Sequence, residues 1–188
     1  MARSVLLDNI NMALFIRRFI GALALDASAF EDVESDLRAG AASVAVVGLA
    51  CGAGAFAAMS LGFAGAPGFA VAMALMLGGW IVWAALISAI GTRMMPEPQT
   101  RSNPSELFRT IGFAAAPGAF YAFAALPAAM PFVFVLVSAW MIAATVLAVR
   151  QALDYRSTGR AIAVCVIAWL LTVGLVAAMG TLFTRPVS

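Results

Sequence analysis

The chain contains no histidine and no lysine; all eleven of its basic residues are arginine. Without an imidazole, the side chain most often used for metal ligation and for proton transfer near neutral pH is missing. Charge of either sign is scarce. Charged residues make up 11% of the chain and hydrophobic residues 64%, against ~25% and ~45–50% in an average soluble domain. There is no Gly-rich phosphate loop, no GxSxG and no zinc motif. The two cysteines, Cys51 and Cys165, stand alone in apolar runs at different distances from their ends. They form no CxxC motif and no expected disulfide, and read as small residues of helix packing. No secretory signal is expected either, because Asp8, Asn9, Asn11, Arg17 and Arg18 interrupt the apolar content of the N-terminal segment. An enzyme is not expected, nor is a cofactor, a metal or a nucleic-acid partner.

What is present is apolar length. Five segments, at about 40–63, 69–90, 107–126, 131–149 and 161–182, each approach the ~20 residues that cross ~30 Å of hydrocarbon. Strand-length alternation is missing, so the segments are helices, the form that satisfies its own backbone in lipid. The expectation is an all-α, polytopic integral membrane protein: an N-terminal cytoplasmic or interfacial segment over 1–39, then a five-helix membrane domain over 40–184. The connections alternate in charge. Ten arginines fall before the first span, in 92–109 and in 150–160, and Arg185 alone falls on the other side. Arginine-rich short loops stay in the cytoplasm, which places the N-terminus inside and the C-terminus outside. The uniform arginine and abundant Ala and Gly suggest a GC-rich bacterial genome, hence a bacterial cytoplasmic (inner) membrane.

Within the spans, small residues mark expected contact faces: Ala50, Gly54, Ala58 and Gly62 at four-residue steps, and Gly48 with Gly52. Packing within one copy is the first reading of these faces and contact with another subunit the second. Pro117, followed by Gly118 and preceded by Gly112, predicts a kink or broken helix in the third span, since proline removes a backbone hydrogen bond and clashes one turn back. Hydroxyls in the spans, such as Ser43, Ser138, Thr145 and Thr172, are expected to bond back to their own helices. Arg109 is expected to snorkel to the interface.

Five of the nine carboxylates lie in "DASAFEDVESDLR", 26–38. On a helical wheel Phe30, Val33 and Leu37 share one arc and Glu31, Asp32, Glu34, Ser35 and Arg38 the other, the pattern of an amphipathic helix. Ser28 and Glu31 fit a capping box, and Glu34 and Arg38 an i,i+4 pair. The acidic arc reads first as a solvated face. The second reading is a docking face, through Glu31, Asp32 and Glu34, for a basic partner; a divalent-cation site is the third. Residues 5–25 form a helix whose polar residues are spread round the wheel, which suggests docking on the spans or on a second protein.

Taken in order, "AFEDVESDLRAGAASVAVVGLA", "GGWIVWAALISAIGTRMM", "ELFRTIGFAAAPGAF", "WMIAATVLAVRQALDY" and "STGRAIAVCVIAWLL" resemble bacterial members of the Yip (Ypt/Rab-interacting protein) membrane-domain family, from about Ala24 to the end of the fifth span. The resemblance implies a non-enzymatic membrane protein with five spans and a cytoplasmic N-terminus. Eukaryotic relatives bind small GTPases and shape membranes. Gly112, Phe113 and Pro117 approach the family's Gly-Tyr and Pro signature, while its Asp-Leu-Tyr-Gly-Pro motif is absent here. The expected function is a structural or accessory subunit of a membrane assembly, or a membrane organiser. Its expected partners are the lipid bilayer and other membrane proteins, as a homo- or hetero-oligomer. The alternative is a small transporter or channel built on a broken third span.

Overall fold

The computed structural model describes residues 2–62, 65–100 and 103–183, with side chains described between residues 10 and 175; Arg101 and Arg185, and the side chain of Arg3, lie outside these. Helix accounts for every regular element among the described residues: α1 (Ala2–Leu23), α2 (Ala27–Ser35), α3 (Ala39–Ala58), α4 (Gly65–Ala89), α5 (Pro104–Ala114), α6 (Met130–Ala152) and α7 (Thr158–Phe183). A 3-10 turn, Met59–Leu61, ends α3; a π-turn, Ile90–Met94, ends α4; a 3-10 segment, Ala116–Ala125, continues α5.

Among the described residues, four helical stretches are long and apolar enough to cross a membrane: Ala39–Leu61, Gly65–Met94, Met130–Ala152 and Thr158–Leu175. The stretch 107–126, expected as a span kinked or broken at Pro117, is not a continuous α-helix. The α-helical geometry stops at Ala115, and Pro117 sits in the first turn of the 3-10 segment. Proline has no N–H to give to the carbonyl four residues back, so the ladder cannot pass through it.

This broken segment occupies the centre. Residues 109–118 are buried without interruption. It runs parallel to α3, with the Ser43 hydroxyl donating to the Arg109 carbonyl at 2.7 Å. A Cβ added at Gly112 would come within 2.7 Å of Ser43 Cβ, and one at Gly118 within 2.7 Å of Ala50 Cβ. Along α6 it runs antiparallel: Gly118 lies against Met141, and Tyr121 Oη is 2.8 Å from Ser138 Oγ. Irregular backbone at membrane depth is tolerated where protein surrounds it. So two of the hydroxyls expected to bond to their own helices, Ser43 and Ser138, instead tie the broken segment to its neighbours. Thr145 and Thr172 do bond back, to the Met141 and Ala168 carbonyls.

The small residues of α3 divide. Gly54 lies under Met76 of α4, and Ala58 joins Ala55 and Ala72 in a buried cluster. Gly48 and Gly52 have open space where a Cβ would stand, and Gly62 adopts φ +104° just after α3. Besides Gly54, the close approaches to other elements lie at Gly112 and Gly118, singled out in the sequence for a kink, and at Gly21 and Gly91, which the sequence did not single out.

The N-terminal helices form a hairpin on this bundle. The capping box read at Ser28 and Glu31 does not form; Asp26 caps α2 instead, accepting from Ser28 N and Oγ at 2.9 Å. α2 ends at Ser35, so Arg38 lies beyond it and Glu34 and Arg38 do not share a helix. A reciprocal capping box does form on α5, between Asn103 and Glu106 with Pro104 at the first helical position. Phe15 of α1 packs 6.3 Å from Phe113, and Trp140 Nε1 donates to the Leu23 carbonyl at 2.9 Å.

Candidate functional site

Charge is rare in this chain, so its arrangement is informative. Among the described residues most of it gathers at one end of the bundle, where the arginine-rich loops meet. The two loops are clasped together there. Tyr155 Oη lies 2.9 Å from both the Gly91 and Met95 carbonyl oxygens, which share its proton. Thr100 Oγ1 donates to the Leu153 carbonyl and Gln99 Nε2 to the Asp154 carbonyl, each at 3.0 Å. Glu97 accepts from the Arg156 backbone N–H at 3.1 Å and pairs with Arg160 at 3.4 Å. The Arg156 N–H is the first reason its carboxyl lies below the usual range.

Next to this clasp is a cleft of about 640 Å³. Glu31 and Glu34 reach it from α2, Glu106 and Arg109 from α5, Arg150 from α6, and Asp154 and Arg156 from the connection to α7. None of the four carboxylates is in an ion pair among the described residues. Their mutual repulsion shows at Glu34. Burial first, then the charges of Asp154, Glu106 and Glu31, push its carboxyl up to about 7, against the opposing pull of Arg109.

Arg109 does not snorkel to the interface. It is 7% exposed, its Nη2 donates to the Glu34 carbonyl at 2.9 Å and its Nη1 to Ser105 Oγ at 3.4 Å. Its buried Nε has no hydrogen-bond partner among the described residues. A guanidinium with no carboxylate across from it leaves positive potential inside a mostly acidic cleft.

The single solvated acidic arc read from the wheel is therefore two faces. Asp32 and Asp36 turn toward α1: Arg17 and Arg18 bond Asp32 at 2.8 and 2.9 Å, and Arg18 bonds Asp36 at 2.9 Å. Glu31 and Glu34 turn toward the cleft. Of the three candidate docking residues the structure brings two together and engages the third internally. No group of three or more His, Cys, Asp or Glu among the described residues could hold a metal ion. Sequence reasoning missed Glu106, Asp154 and Tyr155. Only the Asn103-to-Glu106 cap spacing was a signal for one of them.

A chain whose described regular elements are all helices, with four of them apolar and of spanning length, a buried broken segment among them and most of its described charge at one end, is an integral membrane protein. The family model described as Yip1 domain matches residues 20–179, most of the chain, and the chain belongs to that family. No curated protein and no solved structure matches it.

Proposed function

We propose that this protein is a non-enzymatic structural or accessory subunit of a membrane assembly, docking its partner through the charged cleft. The observation that carries the reading is the set of unpaired carboxylates, Glu31, Glu34, Glu106 and Asp154, facing one cleft. Four carboxylates against Arg109, Arg150 and Arg156 leave the cleft net acidic, with none of the four in an ion pair among the described residues, which fits a basic segment of a partner. The lack of histidine and lysine supports a binding role over a catalytic one.

The same reading gives the molecule five crossings. The broken segment has a contour of about 16 Å of α-helix and about 20 Å of 3-10 helix, enough for ~30 Å of hydrocarbon. It starts beside the clasped loops and ends beside the first turn of α6, where Tyr121 meets Phe134. With the arginine-rich end in the cytoplasm of a bacterial cell, the N-terminus is inside and the C-terminus outside.

A carrier is the second reading, favoured by a cavity of about 550 Å³ beside the break, between Gly54, Met76, Ala115 and Phe134. Its walls are almost wholly apolar, which suits hydrocarbon better than an ion or a sugar.

Native mass spectrometry of gently solubilised membranes tests the docking reading. The expected outcome is a complex that the double variant Glu31→Gln, Glu34→Gln loses while its membrane yield stays the same. A lone monomer even after crosslinking would count decisively against it.

A further inference from the structure

We propose that α1 and α2 form a re-entrant hairpin, dipping to the middle of the bilayer and returning to the same side, with the acyl chains of one leaflet against its outer face. This rests on the reading that α3, α4, α6 and α7 cross the membrane. Depth is set by Trp140. It stands ten residues from Met130 and twelve from Ala152 at the ends of α6, about 15 Å and about 18 Å along the helix. In a hydrocarbon core of ~30 Å that is near the middle. Its indole holds the carbonyl of Leu23, the last residue of α1. Leu25, in the turn, lines a cavity with Ala139 and Ile142 of α6, Trp83 of α4 and Trp169 of α7. The cavity runs from these four toward Arg150 and Thr158 at the charged end, and the Trp140 bond sets the turn at its deep end.

α2 then returns. Its nine residues, about 13 Å, bring the Glu34 carbonyl to Arg109 at the charged end. The two helices are antiparallel and close: a Cβ on Gly21 would come within 2.4 Å of Ala29 Cβ. The inner side of α1 is held by the bundle through Phe15, Phe19 and Ala22. Its outer side presents Met12, Ile16 and Ile20 at four-residue steps, 59%, 48% and 57% exposed. In water such a stripe would be a liability; at this depth it continues the apolar belt of the neighbouring spans.

The hairpin's charge is arranged for the same place. Arg17 and Arg18 are matched by Asp32 and Asp36 within the hairpin, so these four charges enter as a neutral set. Asp26 at the tip is exposed, with its carboxylate accepting from Ser28. An acid at that depth draws water and headgroups toward it and thins the leaflet locally.

Single cysteines placed in the full chain test this, since the native Cys51 and Cys165 are buried. The protein is held in lipid nanodiscs, which leave both water faces open, and is labelled with a charged maleimide. Ser157→Cys, in the exposed loop before α7, is the water control, and Leu170→Cys, exposed on α7, the lipid control. The expected result is that Ile16→Cys and Leu25→Cys react roughly tenfold or more slowly than Ser157→Cys, like a thiol that water does not reach. Reaction at the Ser157→Cys rate overturns the proposal. Fast reaction of Leu170→Cys overturns the crossing reading itself and so separates the two failures. A disulfide between two Ile16→Cys copies on mild oxidation shows that a second copy covers the stripe, and overturns lipid as its occupant. Should Leu25→Cys disturb folding, Ile16→Cys, on an exposed position, carries the test alone.

Discussion

Glu34 shows how far a residue's surroundings set its charge. It lies in the last turn of a short surface helix, yet burial and three neighbouring carboxylates raise its pKa from 4.5 to about 7. The folded chain therefore holds this proton more tightly than the unfolded chain does. Stability from the group is fully present below about pH 4.5 and falls as pH rises to about 7, then levels off. Glu34→Gln mimics the protonated form. It should raise the melting temperature above wild type at about pH 8 and leave it unchanged near pH 4.5. Differential scanning fluorimetry at the two pH values checks this; an equal gain at both would remove the titration argument.

At the scale of the element, the α1–α2 hairpin depends on one arginine more than on its neighbour. The Arg18 side chain is 8% exposed and grips both Asp32 and Asp36; Arg17 is 69% exposed and touches Asp32 alone. Removing Arg18 leaves Asp36 without its guanidinium and Asp32 with Arg17 alone, and Arg18→Ala should cost about 1.5–3 kcal/mol. Arg17→Ala should cost about 1 kcal/mol or less. Chemical denaturation of the two variants in one detergent would show the difference, and equal losses would mean the buried pairing contributes nothing special. The amphipathic pattern of α2 was legible in the sequence, through Phe30 and Val33, both now buried. Its partner was not. Arg17 and Arg18 look scattered on a wheel because a wheel shows one helix, and their carboxylates sit on the next.

At the scale of the whole molecule, the apolar spans were legible because lipid imposes a length and a composition on them. Residues 107–126 were read as a span kinked or broken at Pro117, but the form of the break, a change to 3-10 geometry after Ala115, was not read. What is absent from the sequence is the fit of that segment to α3: Gly112 on Ser43 and Gly118 on Ala50 are pairings between distant positions. Gly118→Leu should force the central segment away from α3, with overpacking of about 1–3 kcal/mol or more. Gly48→Leu, where open space waits for the side chain, should change stability little. Thermal unfolding of both variants checks the contrast, and equal damage from the two would sink this picture of the centre.

The break at Ala115 also bears on how the chain is made. The segment around it carries Glu106, Arg109, Thr110 and Pro117 and is ill suited to enter a membrane by its own apolarity. α3, synthesised earlier, already presents the Ser43 hydroxyl and the Ala50 face that receive it. α6, synthesised later, closes the other side through Ser138 and Met141. On the five-crossing reading proposed above, chain order is then also an assembly order, in which the most continuously buried segment is the one least able to insert without its predecessors.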